Sequence, residues 1–318
     1  MSFETEQPTV SVVIATHNRR AFLAEAVASV RAQTFDNWEI LVVDDASEDD
    51  TWEWLTRARD ERLRIFRLSE NSERAVAANH GIGEARGEFI MFLDDDDLLR
   101  PDALAQLTEA LRQDESAVAA AGARLKIKEG AYAVRINHPS KPVKKIIWPE
   151  LLHGSVWSAV SGQTLYRTEK VRQVGGYPPG VIVVDDRALW LRIARLGPVL
   201  ILPSIVLDYR VHDGQWRPHN IQDMRKSVFE DFMTGLRPVE LRRARRYRRS
   251  GEWSRAADEE YARGNYRTAL ACYLRSCRAA PSLLLSPLIR RPTINAIKSS
   301  LRCLLSHSRA GRGGRRPA

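Results

Sequence analysis

Four consecutive aspartates, Asp94 to Asp97, stand directly after the apolar stretch "GEFIMFL". Carboxylates packed side by side repel, so such a run is costly unless a cation or hydrogen-bond donors offset the charge. Hard divalent ions such as Mg²⁺ and Mn²⁺ choose oxygen ligands; Mg²⁺ takes one or two carboxylates and leaves its other positions to water and phosphate. Asp94 and Asp96 suit that incomplete ligand set. An EF-hand loop starting at Asp94 is excluded, because its fifth, sixth and twelfth positions would be Leu98, Leu99 and Ala105. The competing reading is structural: Asp97 caps a helix near Pro101 and the other acids face water. Two more acidic pairs adjoin apolar runs, Asp44-Asp45 after "EILVV" and Asp185-Asp186 ahead of "RALWLRIARLG". The bland reading of both pairs is favourable charge or capping at a helix N-terminus.

These acids need a frame that brings them together. "VSVVIAT" (10–16) and "EILVVDD" (39–45) are nearly continuous β-branched runs, as expected of parallel strands covered on both faces, and "LRIFRL" (63–68) and "GEFIMFL" (87–93) read as two further strands. Between the first two, Phe22, Leu23, Ala26, Val27 and Val30 share one helical face. Ser47 reads as the start of a capped helix with acid in its first turn. Further helices are expected around 73–86 and from Pro101. This alternation predicts an α/β fold: a doubly wound, mostly parallel sheet with helices on both faces and its ligand crevice at the carboxyl ends of the strands. No glycine follows the first strand, and Gly81, Gly83 and Gly87 have the wrong final spacing for a dinucleotide fingerprint. There is no P-loop either, so NAD enzymes and P-loop ATPases are set aside.

Three blocks, "VSVVIATHNRRAFLAEAVASVRAQTFDNWEILVVDDASEDDT", "NHGIGEARGEFIMFLDDDDLLRP" and "DDRALWLRIARLG", resemble in order and spacing the family-2 inverting glycosyltransferases with the GT-A fold. The resemblance implies transfer of a hexosyl or related sugar from a nucleotide-diphosphate donor, a UDP-sugar above others, to a saccharide or lipid-linked hydroxyl acceptor. It implies a divalent cofactor, Mn²⁺ or Mg²⁺, and a role in cell-envelope polysaccharide, lipopolysaccharide or glycolipid synthesis. Carried over position by position, Ala15, Thr16, His17, Asn18, Asp44 and Asp45 are expected at the nucleotide, with Asp45 the partner of a uracil-type ring nitrogen. Asn79, Asp94 and Asp95 are expected on the donor, and Asp94, Asp96 and His212 at the metal. The family's Arg-Asn is Ala78-Asn79 here, and Arg74, one helical turn earlier, is expected to reach the same phosphates. Asp186 matches the base of a single in-line displacement at the anomeric carbon. Asp185, Trp157 and Arg210 are placed on the acceptor side, Arg210 with a second possibility near the diphosphate. A glycoside hydrolase would need two carboxylates flanking one bond and no metal. A non-catalytic scaffold of the same fold is the other alternative.

The 318 residues, 44% hydrophobic and 28% charged, are enough for a sizeable core. The N-terminal stretch lacks the pattern of a signal peptide and no apolar run is long enough to span a bilayer. Cys272, Cys277 and Cys303 form no zinc or disulfide frame, so a cytoplasmic setting is expected. Residues 1–235 are expected to form the transferase domain and 236–318 a small, basic all-α extension. From Leu241 onward there are 19 basic residues against 4 acidic ones. Within that region "RRARRYRRSGEW" reads as a solvated helix or linker, and about 250–283 resembles a single tetratricopeptide unit. The basic tail predicts docking on an anionic membrane surface, peripheral to the inner face; nucleic acid is the rival partner, without a recognisable reader motif.

Overall fold

A computed structural model describes residues 7–58, 60–128, 131–136, 144–146, 148, 152, 161–178, 180, 185–213, 221–281 and 297–303. The chain divides into two compact units, the second beginning at Gly235 and taking in Trp148–Ser158.

The first unit is built on a mixed sheet. Its first half is parallel, in the order β3 (Leu63–Arg67), β2 (Trp38–Asp44), β1 (Val10–Thr16), β4 (Phe89–Phe92). Beyond β4 come β9 (Thr164–Arg167), antiparallel to β4, then β6 (Ala119–Lys128), antiparallel to β9, and β10 (Val199–Val211), parallel to β6. Short strands finish it: β5 (Leu98–Leu99) and β8 (Lys144–Ile146) pair with β10, and β7 (Ala131–Ile136) with β6. Because β1 is flanked by β2 on one side and β4 on the other, the winding reverses between β1 and β4. Such a reversal opens a crevice at the carboxyl ends of the strands.

β1 and β2 are buried almost throughout, which is why they read as unbroken apolar runs. Helices α1 (Arg20–Arg31) and α4 (Ala103–Gln113) cover one face, where Leu23, Val27, Leu104 and Leu107 join Val10, Val12 and Ile14 in one core. Helix α3 (Arg74–Glu84) covers the other, with Gly81 pressed against Val13 so closely that a Cβ would collide with it. α2 (Thr51–Arg57), α5 (Thr168–Gln173), α6 (Asp185–Ala194) and α7 (Ile221–Thr234) complete the unit.

Two expected helix starts shift. α2 begins at Thr51, not near Ser47, whose hydroxyl accepts the Asn18 N–H instead. The chain after the four aspartates pairs as β5 with Leu207 and Asp208 before α4 starts beyond Pro101, at Ala103.

The second unit is a helical hairpin of α8 (Pro238–Ala262) and α9 (Tyr266–Ala279), turned at Gly264 with φ +80°. Ala257, Ala269, Cys272 and Tyr273 form its core. α8 is 25 residues long, so the arginine-rich stretch is continuous helix with a buried seam rather than a solvated linker, and it starts before the tetratricopeptide-like unit was expected to. No helix among the described residues is long and apolar enough to cross a membrane.

Candidate active site

The loops after β1, β2 and β4 meet at one rim of the sheet. β4 ends level with Val13, short of the end of β1 at Thr16, so the acids that follow turn across the top of β1. Thr16 donates its hydroxyl to Asp95 Oδ2 at 2.7 Å, and Arg19 spans Asp95 Oδ1 and Asp96 Oδ2 at 3.1 Å each. Asp95 and Thr16, expected on the donor, are therefore buried and engaged with one another. Burial raises the Asp95 carboxyl and Arg19 partly restores it.

The far end of the acidic loop is braced by β10. The Arg210 N–H donates to Asp97 Oδ1 at 2.9 Å, while its guanidinium donates to the Asp96 carbonyl, pairs with Glu25 at 2.6 Å and lies over the Phe22 ring. Arg210 thus belongs to the scaffold of the acidic loop, not to an acceptor surface. His212 Nε2 is 3.0 Å from Asp96 Oδ2, and its ring stacks on Phe22 at 4.7 Å. Phe22, expected in the core, is only half-buried for this reason.

Asp97 does not cap α4, whose N-cap is Asp102. It is wholly buried, and its Oδ2 has no hydrogen-bond partner among the described residues. Burial, with the charges of Asp94 and Asp96, pushes its carboxyl well above the usual range. One oxygen each of Asp94, Asp96 and Asp97 lie within 4.8 Å of one another. Two oxygens on opposite sides of one Mg²⁺ stand about 4.2 Å apart, so small rotations would bring all three onto a single ion. The unpaired buried oxygen and this spacing fit a divalent cation, with His212 adjoining through Asp96. Asp97 was not singled out from the sequence as a ligand; only its place as the fourth acid in the run hinted at it.

Arg74, the first residue of α3, joins this group to a second one. Its Nη1 donates to Asp94 Oδ1 at 3.0 Å and to Ser161 Oγ at 3.1 Å, and its Nη2 to Asp185 Oδ2 and Asp186 Oδ1 at 2.8 Å each. Burial works against its charge, but the carboxylates of Asp186, Asp185 and Asp94 outweigh that and hold it firmly protonated. Asp94 is pushed up to about 7, by burial first and then by Asp186, Asp96 and Asp185, against the opposing effect of Arg74. Ala78, one turn along α3, is buried.

Asp186 lies at the N-terminus of α6, partly open to solvent. Besides Arg74 it accepts from Ser161 Oγ at 3.0 Å, from the Ser161 N–H at 3.2 Å and from the Tyr177 hydroxyl at 3.4 Å. Ser161 and Tyr177 lie in "SGQTLYRTEKVRQVGGYPPG", a segment that resembles the family's acceptor side, but neither was singled out there; Arg19 was missed because its partners Asp95 and Asp96 are distant along the chain. Asp185 is buried behind Asp186: its Oδ1 accepts the Asp186 N–H and its Oδ2 holds Arg74. That takes it off the acceptor side. Trp157 lies outside the described residues.

At the other end of the crevice, Asp44 is wholly buried and both its oxygens are engaged by the Ser47 N–H, with Arg67 on Oδ2. It is a structural acid, not a ligand group. Asp45 Oδ1 accepts the Ser72 N–H at 2.8 Å, and its Oδ2 has no partner among the described residues. His17 Nδ1 is 2.7 Å from the Asp45 carbonyl, and its Nε2 is near Asn71 and Asn18. Asn18 takes a left-handed φ of +54° and its Oδ1 accepts the Glu48 and Asp49 N–H groups, so it ties two loops together. Ala15 sits half-buried at the end of β1. Asn79 is committed elsewhere: it donates to the Tyr177 carbonyl and accepts the Tyr177 N–H, fixing the segment that carries the Tyr177 hydroxyl.

A mixed sheet whose winding reverses between β1 and β4 brings an acidic cluster and a separate carboxylate to the same rim. Residues 11–175, just over half of the chain, match the model of Glycosyl transferase family 2, and the chain belongs to that family. It is 28% identical over 193 residues to the putative teichuronic acid biosynthesis glycosyltransferase TuaG of Bacillus subtilis, covering 60% of this chain and 74% of that protein. It is 34% identical over 196 residues to the O-antigen biosynthesis protein RfbC of Myxococcus xanthus, covering 60% of this chain but only 15% of that one. Among solved structures, S. aureus TarS 1-349 superposes with a TM-score of 0.62 at 16% identity, over 95% of this chain and 92% of that one. That likeness shows the fold. The chain is a glycosyltransferase, and the scaffold and nucleic-acid readings are not favoured.

Proposed function

We propose that this chain transfers a sugar from a nucleoside-diphosphate donor to a hydroxyl acceptor, with inversion at the anomeric carbon and Asp186 as the base. The observation that carries this reading is the convergence on one rim of Asp94, Asp96 and Asp97 with Asp186, joined through Arg74. A divalent cation, when held by Asp94, Asp96 and Asp97 beside His212, supplies Lewis acidity against the charge of the departing diphosphate. Asp186 takes the proton of the attacking hydroxyl, and Ser161 and Tyr177 fix the direction of its oxygens. Arg74 pairs with Asp186 and is the protein cation best placed for the donor phosphates, the part given up at Ala78. His17 and the unshared oxygen of Asp45 form the nucleotide end. TarS, of the same fold, has been solved with UDP and with UDP-GlcNAc, which supports a UDP-sugar here. The names of TuaG and RfbC support a role in cell-envelope saccharide synthesis; the acceptor is then a saccharide or lipid-linked hydroxyl met at the inner face of the membrane.

A screen of UDP-, GDP- and TDP-sugars with Mn²⁺, following nucleoside diphosphate release, tests this. Asp186→Asn is expected to lower turnover about a thousandfold while donor binding persists. Near-normal turnover in that variant would remove Asp186 as base, and turnover indifferent to chelator would remove the metal.

A further inference from the structure

Helix α8 sorts its residues by face. Ala244, Tyr247, Ser250, Gly251, Ser254 and Ala257 are buried at three- and four-residue intervals. On that seam Ser250 Oγ donates to the Ser276 carbonyl and Ser276 Oγ to the Ser250 carbonyl, each at 2.8 Å. Arg242, Arg245 and Arg249 recur at the same intervals on the side away from the seam, Arg246 stands at its edge, and all four are exposed. The antiparallel return of α9 adds exposed Arg275 and Arg278 at the same end. Arg246 Nε donates to the Ala279 carbonyl at 3.1 Å, and Arg275 lies over Trp253 at 4.8 Å.

Most of the acids of α8 are engaged with other partners: Glu240 pairs with Arg237, Glu252 with Arg248 and Glu260 with Arg263, and Asp258 accepts the Tyr273 hydroxyl. No carboxylate stands between Arg242 and Arg249. Such a concentration of one sign repels itself, and packing of the hairpin does not require it. The hairpin also exposes two apolar side chains: Val239, 59% exposed in the first turn of α8, and Leu274, 48% exposed beside Arg275 on α9.

We propose that this basic end of the α8–α9 hairpin docks on an anionic lipid bilayer. Guanidinium groups engage lipid phosphates bidentately, and Val239 and Leu274 enter the apolar boundary beneath the headgroups. A nucleic acid would also satisfy the arginines, but single strands gain much of their hold by stacking bases on exposed aromatic rings. Tyr247 and Tyr273 are buried and Trp253 is covered by Arg275. The proposal is independent of the assignments in the crevice, and it places the contact on described helices rather than on the extreme C-terminal tail.

The test is sedimentation of the full chain with vesicles of phosphatidylcholine, with and without about one-third phosphatidylglycerol. Each basic residue at an anionic leaflet contributes about fivefold in partitioning, so joint Arg242→Gln, Arg245→Gln and Arg249→Gln substitution is expected to weaken binding about a hundredfold. Far-UV circular dichroism and nucleoside diphosphate release, which report folding and the crevice, should match wild type. Rising salt supplies the same test without a substitution, since wild-type binding must fall steeply. Equal binding to neutral vesicles, undiminished binding by the triple variant, or preference for an oligonucleotide over anionic vesicles would each overturn the proposal.

Discussion

Asp97 is wholly buried with one carboxylate oxygen unpaired among the described residues, and Asp94, in the same cluster, holds its proton up to about pH 7, against a usual value of 3.8. Between those values the folded, metal-free protein binds a proton that the unfolded chain has released. Stability therefore falls as pH rises through this window and levels off above it. A cation competes with that proton, so its affinity rises with pH over the same range. The metal-free melting temperature is expected to be higher near about pH 5.5 than near about pH 8, and the upward shift on adding Mn²⁺ to be larger near pH 8. Asp97→Asn should cut that Mn²⁺ shift by at least half; an unchanged shift would show that Asp97 is no ligand. Arg74→Ala leaves Asp94, Asp185 and Asp186 facing one another, which predicts a lower metal-free melting temperature and about a tenfold higher donor KM. Arg74→Lys should recover only part of this, because an ammonium cannot span the three carboxylates as the planar guanidinium does.

The elements place these side chains through a few obligatory backbone features. The segment after α5 returns to the site through Gly176, at φ +69°, where a Cβ would strike the Asn79 side chain. Asn79 in turn holds both backbone groups of Tyr177, whose hydroxyl reaches Asp186. Gly176→Ala is expected to cost roughly 1–2 kcal/mol from the left-handed backbone alone, read by urea unfolding. It should also lower kcat more than it raises donor KM, since the Tyr177 hydroxyl reaches Asp186, the proposed base. Equal loss in both would mean that the segment serves donor binding.

The whole molecule carries opposite charge in its two parts: residues 1–240 hold 30 basic against 36 acidic groups, while the rest is strongly basic. The first part carries the acidic cluster of Asp94, Asp96 and Asp97, and α8 of the second unit carries the run of arginines from Arg242 to Arg249. Each unit has its own core. Calorimetry is therefore expected to resolve two transitions, of which only the one from the first unit moves up with Mn²⁺ and UDP. A single transition that moves as a whole would show that the units melt together.

Periodicity alone was enough to mark β1, β2 and β4, because strands buried on both faces must be continuously apolar; β3, half-buried at the sheet edge, interleaves its apolar residues with Arg64 and Arg67. The order of strands and acidic clusters likewise made a ligand crevice at their carboxyl ends legible. What the chain could not disclose is which member of each acidic pair faces that crevice. Adjacent side chains point apart, and the choice rests on partners distant in the chain: Arg67 and Ser47 claim Asp44 while Asp45 keeps an oxygen, and Arg74 draws Asp185 inward behind Asp186. Asp95 turns to Thr16, and Asp97 is left with an unpaired oxygen, for the same reason. Burial and pairing settle such choices only once the sheet has closed, since both are properties of the assembled rim and not of any stretch of chain.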